Sequence, residues 1–198
     1  MIKFFNANKK NSLKKLEMIL NKRKFNQKNQ SKIVKQLLSN VKKYGDIAVL
    51  KYEKKFSKVR LNVKEIRFSQ NEINQISKKV DKKLKKSIDI AFKRIKYFHS
   101  KQKFSSFKYK DRFRNEVSYK YSAIDKIGVY VPGGTASYPS TVLMNCIPAI
   151  VAGVKNIYMT TPSSEKDVNP GVIYAAKKCG VKEIYKIGGA QAISAFAF

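Results

Sequence analysis

Between residues 31 and 44 the apolar side chains Ile33, Val34, Leu37, Leu38 and Val41 fall three and four positions apart, which predicts an amphipathic helix. Ser31 is a plausible N-cap for it and Gly45 a plausible stop. A shorter helix is expected over residues 46–56. Ahead of both, residues 1–28 read as an extended or weakly helical arm, with Leu13, Leu16, Met18 and Ile19 on one side; an apolar arm too short to fold alone often packs on a partner subunit. The run Lys64-Glu-Ile-Arg-Phe68 alternates as a strand does, and Ser69 offers a cap to the helix after it. Residues 81–102 place Leu84, Ile88, Ala91, Ile95 and Phe98 on one stripe, predicting a long helix with lysines on its wet face. Residues 115–121 alternate again, as one strand of an extended hairpin.

From about residue 126 the rhythm changes to strand–helix–strand–helix–strand. Ile127-Gly-Val-Tyr-Val131 is a buried strand, followed by the loop Pro132-Gly-Gly-Thr-Ala-Ser-Tyr-Pro139. Ser140 or Thr141 is expected to cap a helix that runs to Gly153. Asn156-Ile-Tyr-Met-Thr-Thr161 is the second strand. Pro170 opens the next helix, at the position where its missing N–H costs least, and that helix ends at Gly180. Glu183-Ile-Tyr-Lys-Ile187 is the third strand, and Gly188-Gly-Ala-Gln191 turns into a final apolar helix.

The expected fold class is therefore α/β: a helical N-terminal part followed by an incomplete Rossmann-like βαβαβ unit. Three spans are expected: an arm over 1–28, a first and incomplete α/β domain over 29–126, and a nucleotide-binding domain over 127–198. The pattern breaks off in mid-helix at Phe198, so an unpaired sheet edge and an uncovered apolar helix are expected there, with a tendency to associate.

Composition adds one question. The formal net charge is +30, enough to attract phosphates and anionic surfaces. Yet only six of the 43 basic residues are arginine, the residue that nucleic-acid readers use for bidentate and stacked contacts. Lysine is spread over the exposed helix faces and mixed with asparagine, beside abundant isoleucine and phenylalanine. This favours a compositional drift of the solvated surface; a basic nucleic-acid-binding module on a degenerate core is the alternative. The first ten residues lack the apolar region of a secretory signal, and no stretch nears the roughly 18 apolar residues of a membrane helix. The expectation is a cytoplasmic protein whose two cysteines, Cys146 and Cys179, are buried thiols.

The chemistry expected of the second half follows from topology. Parallel strands bring their carboxyl ends, and the loops that follow, to one sheet edge, where ligands bind. The loops 132–139 and 188–191 both lie there. Each carries a Gly-Gly pair that lets backbone approach a ligand, and each leads into a helix start whose N–H groups favour phosphate. Neither loop is a GxGxxG or a GxxxxGK[ST] motif, and no acidic residue stands at the end of the second strand to hold a ribose. Glycines placed there for tight packing alone would give the same pattern.

The strings carry more. Gly128-Val-Tyr-Val-Pro-Gly-Gly-Thr135, then Ser140-Thr-Val-Leu-Met144, Ile147-Pro-Ala-Ile-Val-Ala-Gly-Val154, Cys179-Gly-Val-Lys-Glu-Ile184 and Ile187-Gly-Gly-Ala-Gln-Ala-Ile193 resemble, in this order and spacing, the histidinol dehydrogenases. Tyr44-Gly-Asp-Ile-Ala-Val-Leu50 and Ile95-Lys-Tyr-Phe-His-Ser-Lys-Gln102 are similar to a helix junction and a long-helix ending of that family. The resemblance implies two incomplete Rossmann-like domains, akin to aldehyde dehydrogenases. It implies oxidation of L-histidinol through the aldehyde to histidine, in histidine biosynthesis, with two NAD molecules each accepting a hydride. It also implies one zinc ion per site, a Glu-His pair for acid–base work, and an intertwined homodimer. Two NAD-contacting positions match residues here: Tyr130 and Gln191. The family's zinc ligands, a Gln-x-x-His pair among them, and its Glu-His pair match nothing in these 198 residues, whose only histidine is His99. His99 reads as a structural or capping residue. The chain is expected to hold coenzyme contacts, no catalytic residue and no metal ligand, and to be inert by itself.

Overall fold

The computed structural model describes residues 11–133, 138–162 and 168–198, and the side chains of these except residues 22–31. Its first element, α1, spans Ser12–Phe56 and is broken only at Gly45, whose φ of 55° and ψ of −137° leave the helical region. The glycine does interrupt the helix, as its lack of a Cβ allows. The arm is otherwise helical from Ser12 on, and the backbone of Ser31 lies inside the helix rather than at its start. On the 31–44 stripe Leu37 and Val41 are buried, whereas Ile33 and Val34 are exposed.

The alternating run at 64–68 forms no full strand. It turns at residues 63–65 and then makes a single antiparallel bridge, Arg67 to Tyr185, with Phe68 N–H bonded to Ile184 O at 2.9 Å. Helix α2 (Gln70–Lys78) starts at Ser69 with a reciprocal capping box, the Ser69 hydroxyl on Glu72 N–H and the Glu72 carboxylate on Ser69 N–H. Helix α3 (Lys82–Ser100) is capped by Asp81. Its stripe is buried at Ile88 but not at Phe98. Strands β1 (Phe107–Lys110) and β2 (Glu116–Tyr119) form the hairpin, with Phe107 opposite Tyr119 and Tyr109 opposite Val117. That aromatic face is exposed.

The remainder is β3 (Lys126–Tyr130), α4 (Pro139–Ala152), β4 (Asn156–Thr160), α5 (Pro170–Lys178), β5 (Glu183–Tyr185) and α6 (Gly189–Ala197). The three strands are parallel in the order β3-β4-β5. α4 begins at Pro139, with Tyr138 at the N-cap position and no side-chain cap, so Ser140 and Thr141 lie within the helix and cap nothing. Pro139 occupies its first turn instead.

Alternation along the strands sorts the sheet's two faces. Val129, Ile157, Met159 and Ile184 pack with α4 and α5, and beyond these with Phe68, Ile73 and Ile88. Tyr130, Tyr185 and Ile187 pack on the other face with Leu37, Val41, Val49 and Ala192 of α1 and α6. Both cores thus draw side chains from either side of residue 126. The final helix is consequently covered by α1, while Ile193, and Phe198 just past its end, remain exposed. The outer edge of β5 is bridged by the segment around Arg67; among the described residues the unpaired edge is that of β3. Cys146 and Cys179 are buried free thiols in the first core.

One polar cluster fastens the helical part to the sheet layer. Asp89 on α3 takes Lys178 Nζ at 2.6 Å and Tyr174 Oη–H at 2.8 Å, both from α5. The Lys178 bond holds the Asp89 carboxyl below its ordinary 3.8, although partial burial pushes the other way. Burial, then the Asp89 bond, pushes Tyr174 up to about 12. A carboxyl with a lowered folded pKa stabilises above its ordinary value, and that support is lost as pH falls through the folded one. A phenol with a raised value stabilises in full below 10 and loses that support as pH climbs to about 12. Tyr174→Phe should therefore lower the unfolding midpoint at neutral pH, where the phenol's support is complete, and should shrink the alkaline fall between those two values; thermal melts across that range check it.

Candidate functional site

The carboxyl ends of β3, β4 and β5 meet as expected. Val131 N–H donates to Thr160 O at 2.9 Å, Thr161 N–H to Tyr185 O at 3.0 Å, and the buried Thr160 hydroxyl to Ile187 O. The three loops that follow converge on Pro162. A Cβ on Gly133 would stand 2.7 Å from the Pro162 carbonyl oxygen, and one on Gly188 would stand 2.5 Å from its ring. Both glycines are thus required by packing, so close approach to a ligand is not needed to explain them. Gly134 lies outside the described residues, as does the 134–137 part of the first loop.

After β5 the chain changes faces. α4 and α5 lie on one side of the sheet and α6 on the other, running back across it until Phe196 sits where a Gly128 Cβ would be, 2.5 Å away. A change of face beside the first strand is the topological mark of the crevice in which doubly wound sheets bind ligands.

Tyr130 and Gln191 come together at Gly189. The Tyr130 hydroxyl, at the end of β3, accepts the Gly189 N–H at 3.2 Å. Gln191, in the first turn of α6, has its carbonyl Oε1 2.8 Å from where a Gly189 Cβ would be. Gly189 itself is exposed and left-handed, with φ 63°. The Gln191 side chain is only 1% exposed.

The free N–H cradle expected at 188–191 is filled in part by the chain's own groups. Glu53 of α1, fully buried, accepts the Gly188 N–H at 3.4 Å and the Gln191 Nε2–H at 2.8 Å on one oxygen, Oε2. Its Oε1 has no partner among the described residues. Sequence reasoning missed Glu53. The signal was available: it lies four residues after Val49 and so continues the apolar stripe of α1, where a carboxyl is out of place unless paired.

His99 stands at the end of α3 with Nδ1 2.7 Å from Gln102 Oε1 and its ring edge-on to Phe98. It borders a cleft of about 340 Å³ between α3, the hairpin and the end of α4, with Ser122 and Ala123 on its wall. Those residues precede β3, so the cleft lies at the opposite edge of the sheet from Gly189.

The histidinol dehydrogenase family model matches residues 20–198. A histidinol dehydrogenase of Pelagibacter ubique is 48% identical over 198 residues, which are all of this chain and 45% of that protein. One of Caldanaerobacter subterraneus is 40% identical over 200 residues, again all of this chain and 46% of the relative. The crystal structure of histidinol dehydrogenase from Elizabethkingia anophelis superposes with a TM-score of 0.77 at 38% identity, covering 83% of this chain and 38% of that one. The chain thus spans under half the length of the curated relatives it matches.

Proposed function

Because this chain belongs to the histidinol dehydrogenase family, we propose that the edge around Gly189 holds NAD for the two-step oxidation of L-histidinol to L-histidine. The observation that carries the reading is the meeting of Tyr130 and the first turn of α6 at one exposed glycine, on the side where the helices change face. The residues fit the group. The Tyr130 oxygen already accepts one N–H and keeps its own proton for a coenzyme oxygen. Gly189 leaves the Gln191 carbonyl without a Cβ over it. When bound, NAD would accept the hydride of each step; this chain's own residues bind and orient it.

Zinc, which the resemblance also implies, finds no such fit. Among the described residues no three His, Cys, Asp or Glu side chains converge. We assign to this chain no catalytic residue and no metal ligand. The exposed apolar residues Leu13, Met18 and Leu20 of α1 support a homodimer in which the arm lies against a partner subunit. No described helix is long and apolar enough to cross a membrane, and the same reading makes the protein cytoplasmic. The lysines are carried by α1, α2, α3, α5 and the hairpin alike, which supports surface composition over a nucleic-acid face.

NAD titrated into the full chain, followed through the backbone amide signal of Gly189, is expected to saturate. Tyr130→Phe should weaken it by roughly fivefold, the worth of one hydrogen bond of about 1 kcal/mol. No saturable change at millimolar NAD overturns the reading.

A further inference from the structure

A primary amide can present either its oxygen or its nitrogen to a ligand, and which one it presents is set by what holds the other end. In Gln191 that end is held by Glu53. Oε2 of Glu53 accepts the Gln191 Nε2–H at 2.8 Å and also the Gly188 N–H at 3.4 Å, so this oxygen acts as an acceptor twice over. Both side chains are buried, at 0% and 1% exposure, which leaves little room for either to turn. With nitrogen bonded to Glu53, Gln191 Oε1 is the amide atom nearer the exposed Gly189, 2.8 Å from where that residue's Cβ would be against 3.2 Å for Nε2. A bare carbonyl oxygen accepts hydrogen bonds; it repels the oxygens of a phosphate.

We propose that Glu53 is a positioning residue that fixes the Gln191 amide with its oxygen outward, so that the part of the coenzyme meeting the start of α6 is a hydrogen-bond donor, a ribose hydroxyl or a carboxamide, and not the diphosphate. This rests on the reading of the Gly189 edge as the coenzyme site. It also explains why α6, although a helix start at a sheet edge, is not an open anion cradle: its Gly188 and Gly189 N–H groups are taken by Glu53 and Tyr130.

The test uses the isotopically labelled full chain and the side-chain amide signals of Gln191, identified by their loss in Gln191→Ala. In the wild type these protons should exchange slowly with water. Glu53→Met keeps the bulk of the side chain and removes the acceptor; it should abolish that protection and raise the NAD concentration for half-saturation at least about tenfold. Glu53→Gln restores an acceptor oxygen and should return both toward the wild type. Nicotinamide riboside should shift the Gln191 signals, and inorganic pyrophosphate should leave them in place. Unchanged Gln191 protection in Glu53→Met overturns the positioning role. Should that variant fail to fold, the wild-type titrations still decide, because a response to pyrophosphate as large as that to nicotinamide riboside overturns the proposal. Protection that depends on Glu53 without a response to NAD, riboside or pyrophosphate refutes the coenzyme reading of the edge and leaves only the Glu53–Gln191 pairing standing.

Discussion

Supplied with L-histidinol, NAD and zinc, the purified 198-residue chain is expected to form no NADH above the rate in buffer. The family chemistry implied by the sequence resemblance needs a Glu-His pair to move protons and a zinc ion to orient the substrate. General acid–base catalysis contributes about 10²–10⁴-fold, and a metal ion several kcal/mol more. With no residue of this chain assigned to the pair or to holding zinc in the proposal above, coenzyme binding alone is not expected to bring histidinol oxidation into a measurable range. His99, the only histidine, is not placed to substitute, because it borders the edge of the sheet remote from Gly189. A continuous absorbance assay for NADH checks the expectation. Steady turnover that follows enzyme concentration would mean that residues of this chain carry catalytic roles not assigned to them above.

Gly188→Ala should destabilise the chain by about 1–3 kcal/mol, the usual cost of forcing extra atoms into a packed site. The new methyl would stand 2.5 and 2.8 Å from the Pro162 Cγ and Cβ, distances that a fixed pyrrolidine ring cannot relieve by rotation. For a chain of this size each kcal/mol corresponds to a fall of roughly 2–4 °C in unfolding midpoint. The damage also reaches the site, because α6 begins at the next residue and its first N–H is the one bonded to Tyr130. NAD binding should weaken together with stability. Pairing the change with Pro162→Gly removes the opposing ring and should recover part of the loss, less the roughly 0.4–1 kcal/mol by which a proline-to-glycine exchange favours the unfolded chain. Calorimetry of the two single variants and the double variant measures that coupling. Additive losses would mean that Gly188 and Pro162 do not oppose each other in solution.

Much of the local structure was legible in the chain. The capping box at Ser69, the break at Gly45, the long helix behind Asp81 and the β-α-β-α-β rhythm after residue 126 all follow from side chains acting on their own backbone within a few residues. Those interactions survive whatever the chain does elsewhere. The errors share a cause as well. Ser31, Ser140 and Thr141 have the chemistry of caps, but a cap exists only where the helix ends; α1 runs on past Ser31 and α4 starts at Pro139. The 64–68 segment alternates as a strand, yet it finds only one bridge, to Tyr185.

The site divides along the same line. That Tyr130 and Gln191 would share one sheet edge was readable from strand direction alone, since parallel strands place their carboxyl ends together whatever packs around them. That α6 would fold back under α1, that two glycines would be spaced by one proline ring, and that a glutamate 138 residues away would hold Gln191 could be settled only by tertiary packing. Helical period reports that a face is buried; it carries no information about which distant element covers it, and a buried carboxyl is tolerable only because of the partner that the fold brings to it.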